Sequence, residues 1–516
     1  MSYILQRAVF PTFSLCSERD LYFRFNDLVD LDMNTSVLML RPKGRLFTDT
    51  YFNSVSVGKW KRHTTVNDLN LTIKFKGKIK ITWFLHRPHF SGRILAENYL
   101  TSKGLKEISV PLEFWGNLED GMLVFDIEAL EETQVVDFYY WTNTPPTNKV
   151  KLGIVITHFN RQKYVLPAIA RLKEQLLDLP EFKDRVSLFI VDNSQNLPPI
   201  ENVTIIPNEN LGGAGGFSRG LLTLKESKDY THCLFMDDDA SCEVDGIKRT
   251  LALLTYAKDK ELAVGGAMLR EETMYLQYEN GARFDGLLHP NKAGLDLRQQ
   301  NSCIVNEFEE RIDFCGWWFF AFPLSKVKHL AFPFFVRGDD IGFGLAHKFN
   351  IITLNGISSW QGDFALKHNP LTVYLDNRHQ IMQHFHHGDD EGLKNLLLIT
   401  ARMFMHNLLT YHYETAEAII YSIQDATKGK DFWKENVNMV EKRKQISALA
   451  KHEKPEDISL DLFAGAMGGN PHEGRIARLF RWATLNGHLL PTIFFKKGYV
   501  WQDKGHSHLR EIYRFK

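Results

Sequence analysis

Hydrophobic and polar positions change rhythm twice along the chain, and the three regimes predict three kinds of architecture. Up to residue 148, runs such as LTIKFKGKIKITWFL (71–85) and MLVFDIEA (122–129) alternate with a period of two, separated by Gly, Pro and Asn. That period marks strands with one buried face, so 1–148 is expected to form an antiparallel β-sandwich. TNTPPTNKVKL (142–152) reads as a linker, because two prolines interrupt regular hydrogen bonding among small polar residues. From Lys151 the rhythm becomes strand, loop, amphipathic helix. LGIVIT, LFIVD, VTIIPN, CLFMD and LAVGGAML read as five strands, with helical stretches such as YVLPAIARLKEQLLDL and VDGIKRTLALLTYA among them. This predicts an α/β unit over 149–385 with a largely parallel sheet, whose ligands bind at the carboxyl ends of the strands. After about Arg378 a helical period takes over, in IMQHFHHGDDEGLKNLLLITARMFMHNLLTYHYETAEAIIYSI, and 386–516 is read as a helical domain.

Composition narrows the function classes. The 516 residues carry 62 Lys and Arg against 62 Asp and Glu, a balance that gives no reason to expect nucleic acid as a partner. Five cysteines, odd in number and without CxxC or Cys/His zinc spacing, argue against a disulfide framework and for a reducing compartment. The opening MSYILQRAVFPTFSLCSERD lacks the pattern of a secretory signal. The most apolar window, FCGWWFFAFPL, is shorter than the roughly 20 residues of a spanning helix. A cytoplasmic setting is expected, with any membrane contact peripheral. The final stretch, 473–516, places nine Lys or Arg against three acids among Phe, Trp, Leu and Ile. Such a surface suits anionic headgroups on the inner face of a plasma membrane, the protein's own catalytic domain, or a second subunit in a homo-oligomer.

Candidate chemistry gathers at the strand ends. HCLFMDDDA puts Asp237, Asp238 and Asp239 behind the fourth strand, where alternation sends Asp237 and Asp239 to the same side. Paired carboxylates there suit a hard divalent cation; a helix N-cap is the plainer use, but a cap needs one acid. NENLGGAGGFSRGLLTLKE (208–226) sets four glycines before a helix, letting the backbone approach a bulky group and aim N–H donors at an anion, or making a flexible turn. Its spacing fits neither a Walker loop nor a dinucleotide fingerprint. Thr157 and Arg161 in THFNRQ, and Asp192 in VDNS, end the first two strands as site residues or as turn and cap residues.

The order of these blocks, followed by GGAML, GWW and the paired acids of FFVRGDDIGFG, resembles the family 2 glycosyltransferases of GT-A, Rossmann-like fold, most closely bacterial galactofuranosyltransferases, over about 152–379. The resemblance implies a UDP-sugar donor, with Thr157, Arg161 and Asp192 on uracil and ribose. Asn210, Gly212 and Gly213 would lie along the nucleotide sugar, and Asp238 toward the donor sugar. Asp237 and Asp239 would hold Mn²⁺ or Mg²⁺ on the diphosphate. It puts Trp317 and Trp318 near the acceptor; read as a strand, they face opposite ways, one a sugar platform or both core. Asp340 would be the base of an inverting transfer to a cell-surface glycan, free or lipid-linked, and Asp339 would orient the site. In SSWQGDFALKH the chain departs from the family's Trp-His: Gln361 follows Trp360, offering an amide oxygen in place of imidazole, with His368 the alternative ligand. Transfer of rhamnose or another hexose, and glycan binding by a disabled transferase domain, are the alternatives. Glycoside hydrolysis by paired acids leaves the glycine loop unexplained.

Overall fold

The computed structural model describes residues 2–90, 92–362, 369–388 and 390–449; His368 and the basic 473–516 stretch lie outside them. In the N-terminal region every strand pairing is antiparallel. The alternation of 71–85 sorts Leu71, Ile73, Phe75, Ile79, Ile81 and Trp83 into the core, while Lys76 and Lys78 are exposed. Hydrogen bonding joins the ten strands in one sheet, instead of the two separately bonded sheets expected of a sandwich. The strand Asn70–His86 is the reason. Its first half pairs with Thr133–Thr142 and its second with Met122–Ala129, and a register shift at Gly77, where φ is 123°, separates the two. A bulge of this kind bends a strand enough to serve both halves.

The second sheet runs in the order 203–207, 186–192, 152–158, 232–237, 320–323, 262–270 and 277–279, with 350–361 also paired to 262–270. All five strands read from the sequence are present. The first four are mutually parallel, and Phe320–Pro323 is inserted antiparallel between His232–Asp237 and Leu262–Arg270. The helices Gln162–Leu172, Gly212–Ser227 and Val244–Tyr256 connect or cover these strands. As a parallel α/β sheet requires, the carboxyl ends of Leu152–His158 and His232–Asp237 share one edge, where Thr157 pairs with Asp237.

The two sheets share one hydrophobic core. Tyr22 donates to Glu243 at 2.6 Å, Arg249 donates to the Phe52 and Asn355 carbonyls at 2.8 and 2.5 Å, and the Phe52 and Trp360 rings are 5.8 Å apart. Helical structure then begins at Pro370, with Asn369 accepting from the Thr372 N–H in a capping box, and continues to Ser447.

Candidate active site

A cavity of about 710 Å³ opens at the carboxyl edge of the second sheet. Of the residues singled out above, Arg161, Gly213, Asp237, Asp239, Trp317, Trp318, Asp339, Asp340 and Gln361 line it.

At one wall, the Gln361 amide bridges two carboxylates. Its Nε2 donates to Asp237 Oδ2 at 3.2 Å and Asp239 Oδ1 at 3.1 Å, which puts both acids on one side as alternation predicts. Burial, then the charges of Asp239 and Asp238, pushes Asp237 up to about 7. Gln361 is 4% exposed, and its Oε1 is buried without a hydrogen-bond partner. A half-turn of the amide would present that oxygen to the same two carboxylates, giving three hard donors, so the chemistry of the set fits Mg²⁺ or Mn²⁺. Among the described residues no group of three His, Cys, Asp or Glu is arranged for a metal.

Asp238 departs from its expected role. The chain turns after the strand, and Asp238 folds beneath the first loop, accepting from Phe159 N at 3.1 Å and contacting His158 Nδ1 at 3.2 Å. It does not line the cavity. Arg161, expected on the nucleobase, instead donates to Asp238 at 3.2 Å and pairs with Asp239. A guanidinium beside three clustered acids offsets part of their repulsion.

The glycine-rich block also differs from expectation. Gly212 opens a helix, so the glycines are helical and not a loop. Three amides of the block are taken: Gly212 N by Asn210 Oδ1 at 3.1 Å, Ala214 N by Phe335 O at 3.0 Å, and Gly215 N by Leu211 O at 3.2 Å. Close packing explains the composition. A Cβ on Gly216 would lie 2.3 Å from Thr157 Cγ2 and one on Gly220 2.3 Å from Val155 Cγ1, so the helix could not settle on its strand. Gly212, at φ 69°, sits against the Phe335 carbonyl. Asn210 accepts the first amide of this helix from the residue before its N-cap, Leu211, and Thr157 lies beneath the helix with Oγ1 unpartnered. Asp192 is a loop organiser: its carboxylate accepts from the N–H groups of Ser194, Gln195, Asn196 and Leu197. Burial works against ionisation there, but these bonds win and hold its pKa low.

Trp317 and Trp318 lie in the turn before Phe320–Pro323, not on the strand, and both are buried at 4% and 6%. They still part to opposite sides. Trp317 packs edge-on to Phe217 and Phe235, its Nε1 unpartnered, while Trp318 donates to the Gly266 carbonyl at 3.2 Å and joins the core shared by the two sheets.

Asp339 and Asp340, which line the same cavity, open the helix Asp339–His347. Burial pushes Asp340 up to about 6; burial and the Asp340 charge raise Asp339 further. Asp340 Oδ1 accepts the Ile341 N–H at 2.8 Å. The turn in front of them is strained, with φ of 77° at Phe335, 68° at Arg337 and 78° at Gly338. Left-handed backbone at non-glycine residues costs about 1–3 kcal/mol each.

Sequence reasoning missed Glu279, Arg270, Tyr278 and Asp376, all of which line the cavity. Glu279, 3% exposed with Oε1 unpartnered, is pushed up to about 8 by burial and then by Asp340. Arg270 was findable, because it closes the fifth strand at the same sheet edge. Glu279 and Tyr278 stand in a short hairpin strand with no distinguishing pattern.

Two acid pairs thus line one cavity at the carboxyl edge of an α/β sheet, and the similar proteins include glycosyltransferases. Residues 5–143 match the family model "Galactofuranosyltransferase 2 N-terminal". The chain is similar to the galactofuranosyltransferase GlfT2 of Mycolicibacterium smegmatis, 24% identical over 431 residues, covering 76% of this chain and 66% of that protein. It is likewise 24% identical over 417 residues to GlfT2 of Mycobacterium tuberculosis, covering 74% of this chain and 65% of that one. The match spans just under two thirds of those relatives' length. A solved mannosyltransferase from Pyrobaculum calidifontis, in complex with GDP-Man and Mn²⁺, aligns over 70% of this chain and 91% of its own at 15% identity; its TM-score of 0.32 carries no structural argument.

Proposed function

We propose that the protein is an inverting glycosyltransferase of GT-A fold that moves galactofuranose from UDP-galactofuranose to a glycan acceptor. The observation that carries this is the convergence of two acid pairs, Asp237 with Asp239 and Asp339 with Asp340, on one cavity. Similarity to galactofuranosyltransferases over most of the chain supports the sugar.

Asp237, Asp239 and the Gln361 oxygen would hold a divalent cation. Such an ion neutralises the charge that the UDP leaving group gains as the glycosidic bond breaks. Asp340 takes the acceptor's hydroxyl proton at Oδ2, since Oδ1 is held by the Ile341 amide. A carboxyl whose pKa stands near 6 is ionised at neutral pH and more basic than an exposed aspartate. Trp317 and Trp318 wall the acceptor side and exclude water. Thr157, Asp192 and Asn210 act by shaping the loops around the donor. Arg161 would move from the acids to the donor once a cation neutralises them. An acceptor attached to a lipid, peripheral membrane contact and self-association would involve 473–516. Among the described residues no helix is long and apolar enough to cross a membrane.

The Gln361 bridge motivates a second reading, a glycan-binding protein whose transferase site is closed by its own amide. One measurement divides the two. Calorimetry of UDP with Mn²⁺ or Mg²⁺ should give saturable, metal-dependent binding, and mass analysis should find galactofuranose, not rhamnose or another hexose, added to a short acceptor. Absence of nucleotide binding under both metals defeats the enzyme reading.

A further inference from the structure

Three of the four residues from Phe335 to Gly338 have left-handed φ, and only one is glycine. Such a turn does not hold itself; the surrounding structure must over-determine it. The helix Pro370–His387 contacts this turn and the residue before it at three points, while Ala214 N donates to the Phe335 carbonyl and the Arg443 guanidinium lies over the Phe335 ring. Arg378 Nη2 donates to the Phe334 carbonyl at 3.1 Å, Asp376 pairs with Arg337, and Gln383 Nε2 donates to the Gly338 carbonyl at 2.5 Å.

Gly338 is the N-cap of the helix that carries Asp339 and Asp340, and its carbonyl also accepts the Gly342 N–H at 3.1 Å. The orientation of that carbonyl therefore sets the direction in which the helix, and both acids, start. Gly342 makes room for the contact: a Cβ there would stand 2.9 Å from Gln383 Nε2 and 3.0 Å from its Oε1. Gln383 itself is fully buried and does not line the cavity.

We propose that Gln383 is a positioning residue: through its bond to the Gly338 carbonyl, with Gly342 leaving space for it, it keeps the strained turn in the one arrangement that aims Asp340 into the cavity. The inference rests on the reading of Asp340 as base. Gln383→Met removes the donor at nearly constant volume, and Gly342→Ala displaces the amide while leaving Gln383 in place. Misplacement of a reacting group by about 1 Å can cost roughly a hundredfold. Each variant, assayed with UDP-galactofuranose and a short galactofuranosyl acceptor, should lose about tenfold or more in kcat. KM and UDP affinity should stay within about twofold. The double variant should be no worse than the more severe single, because both break one contact. Asn377→Ser, which alters the buried Asn377–Ser422 bond on the same helix, serves as the comparison for stability alone. Unchanged kcat in either folded variant, additive losses in the double variant, or an equal kcat loss in Asn377→Ser, overturns the proposal. Absence of transfer by the unmodified protein would instead defeat the reading of the base.

Discussion

At the residue scale, the site turns on groups whose surroundings move them away from their ordinary behaviour. Asp340 must be ionised to accept a proton. Its raised pKa, about 6, means that kcat should fall roughly tenfold per pH unit below 6 and level off above it, as a pH series of initial rates would show. Asp340→Asn should lower kcat by about 10²–10⁴-fold while UDP binds unchanged in calorimetry, because the base acts only in the transfer step.

Gln361 makes a different prediction. An all-oxygen donor set suits hard cations, so Gln361→His should raise Mn²⁺ affinity about tenfold and leave Mg²⁺ within a few-fold. Titration of each metal without substrate reads this directly. Glu279 tests burial. Its folded pKa of about 8 lies above the unfolded carboxylate value near 4.5, so the folded state keeps a proton that the unfolded chain has lost. The stability this gives is fully present below about pH 4.5 and disappears as pH rises through 8. Glu279→Gln should therefore raise the melting temperature at pH 8.5 by several degrees and change it little at pH 4.5.

At the element scale, close approach matters more than loop chemistry. The helix Gly212–Ser227 lies on Leu152–His158 at a distance only glycine permits at Gly216 and Gly220. Gly220→Ala should destabilise by about 1–3 kcal/mol in urea unfolding, as overpacking does. Gly104→Ala, where an added Cβ meets nothing within 4 Å, should be close to neutral. The run GGAGG announced a special helix start, but the same letters serve an anion cradle and a packing seam. Only the position of Thr157 and Val155 beneath them separates the two.

At the scale of the whole molecule, Arg249 ties the two sheets by donating to Phe52 and Asn355, and the aromatic contact of Phe52 with Trp360 lies in the same seam. Buried residues of both sheets belong to one hydrophobic cluster across this seam. Arg249→Met leaves two buried carbonyls without their donor and should lower the unfolding midpoint of both sheets together in calorimetry, as one transition. Separate transitions would show that the seam is weaker than its contacts imply.

What the sequence determined by itself is local. Period-two and helical patterns specify strands and helices because each residue's side of an element follows from backbone geometry, and the triple aspartate follows its strand to the ligand edge for the same reason. The tertiary structure alone decided which neighbours those side chains meet. It turned Asp238 under the first loop, set Arg161 against the acids, spent the carboxylate of Asp192 on its own turn, brought Glu279 to the cavity, and set Gln383 against the Gly338 carbonyl. Those outcomes depend on contacts between segments far apart in the chain, and the shared burial that shifts their charges exists only once the segments have packed.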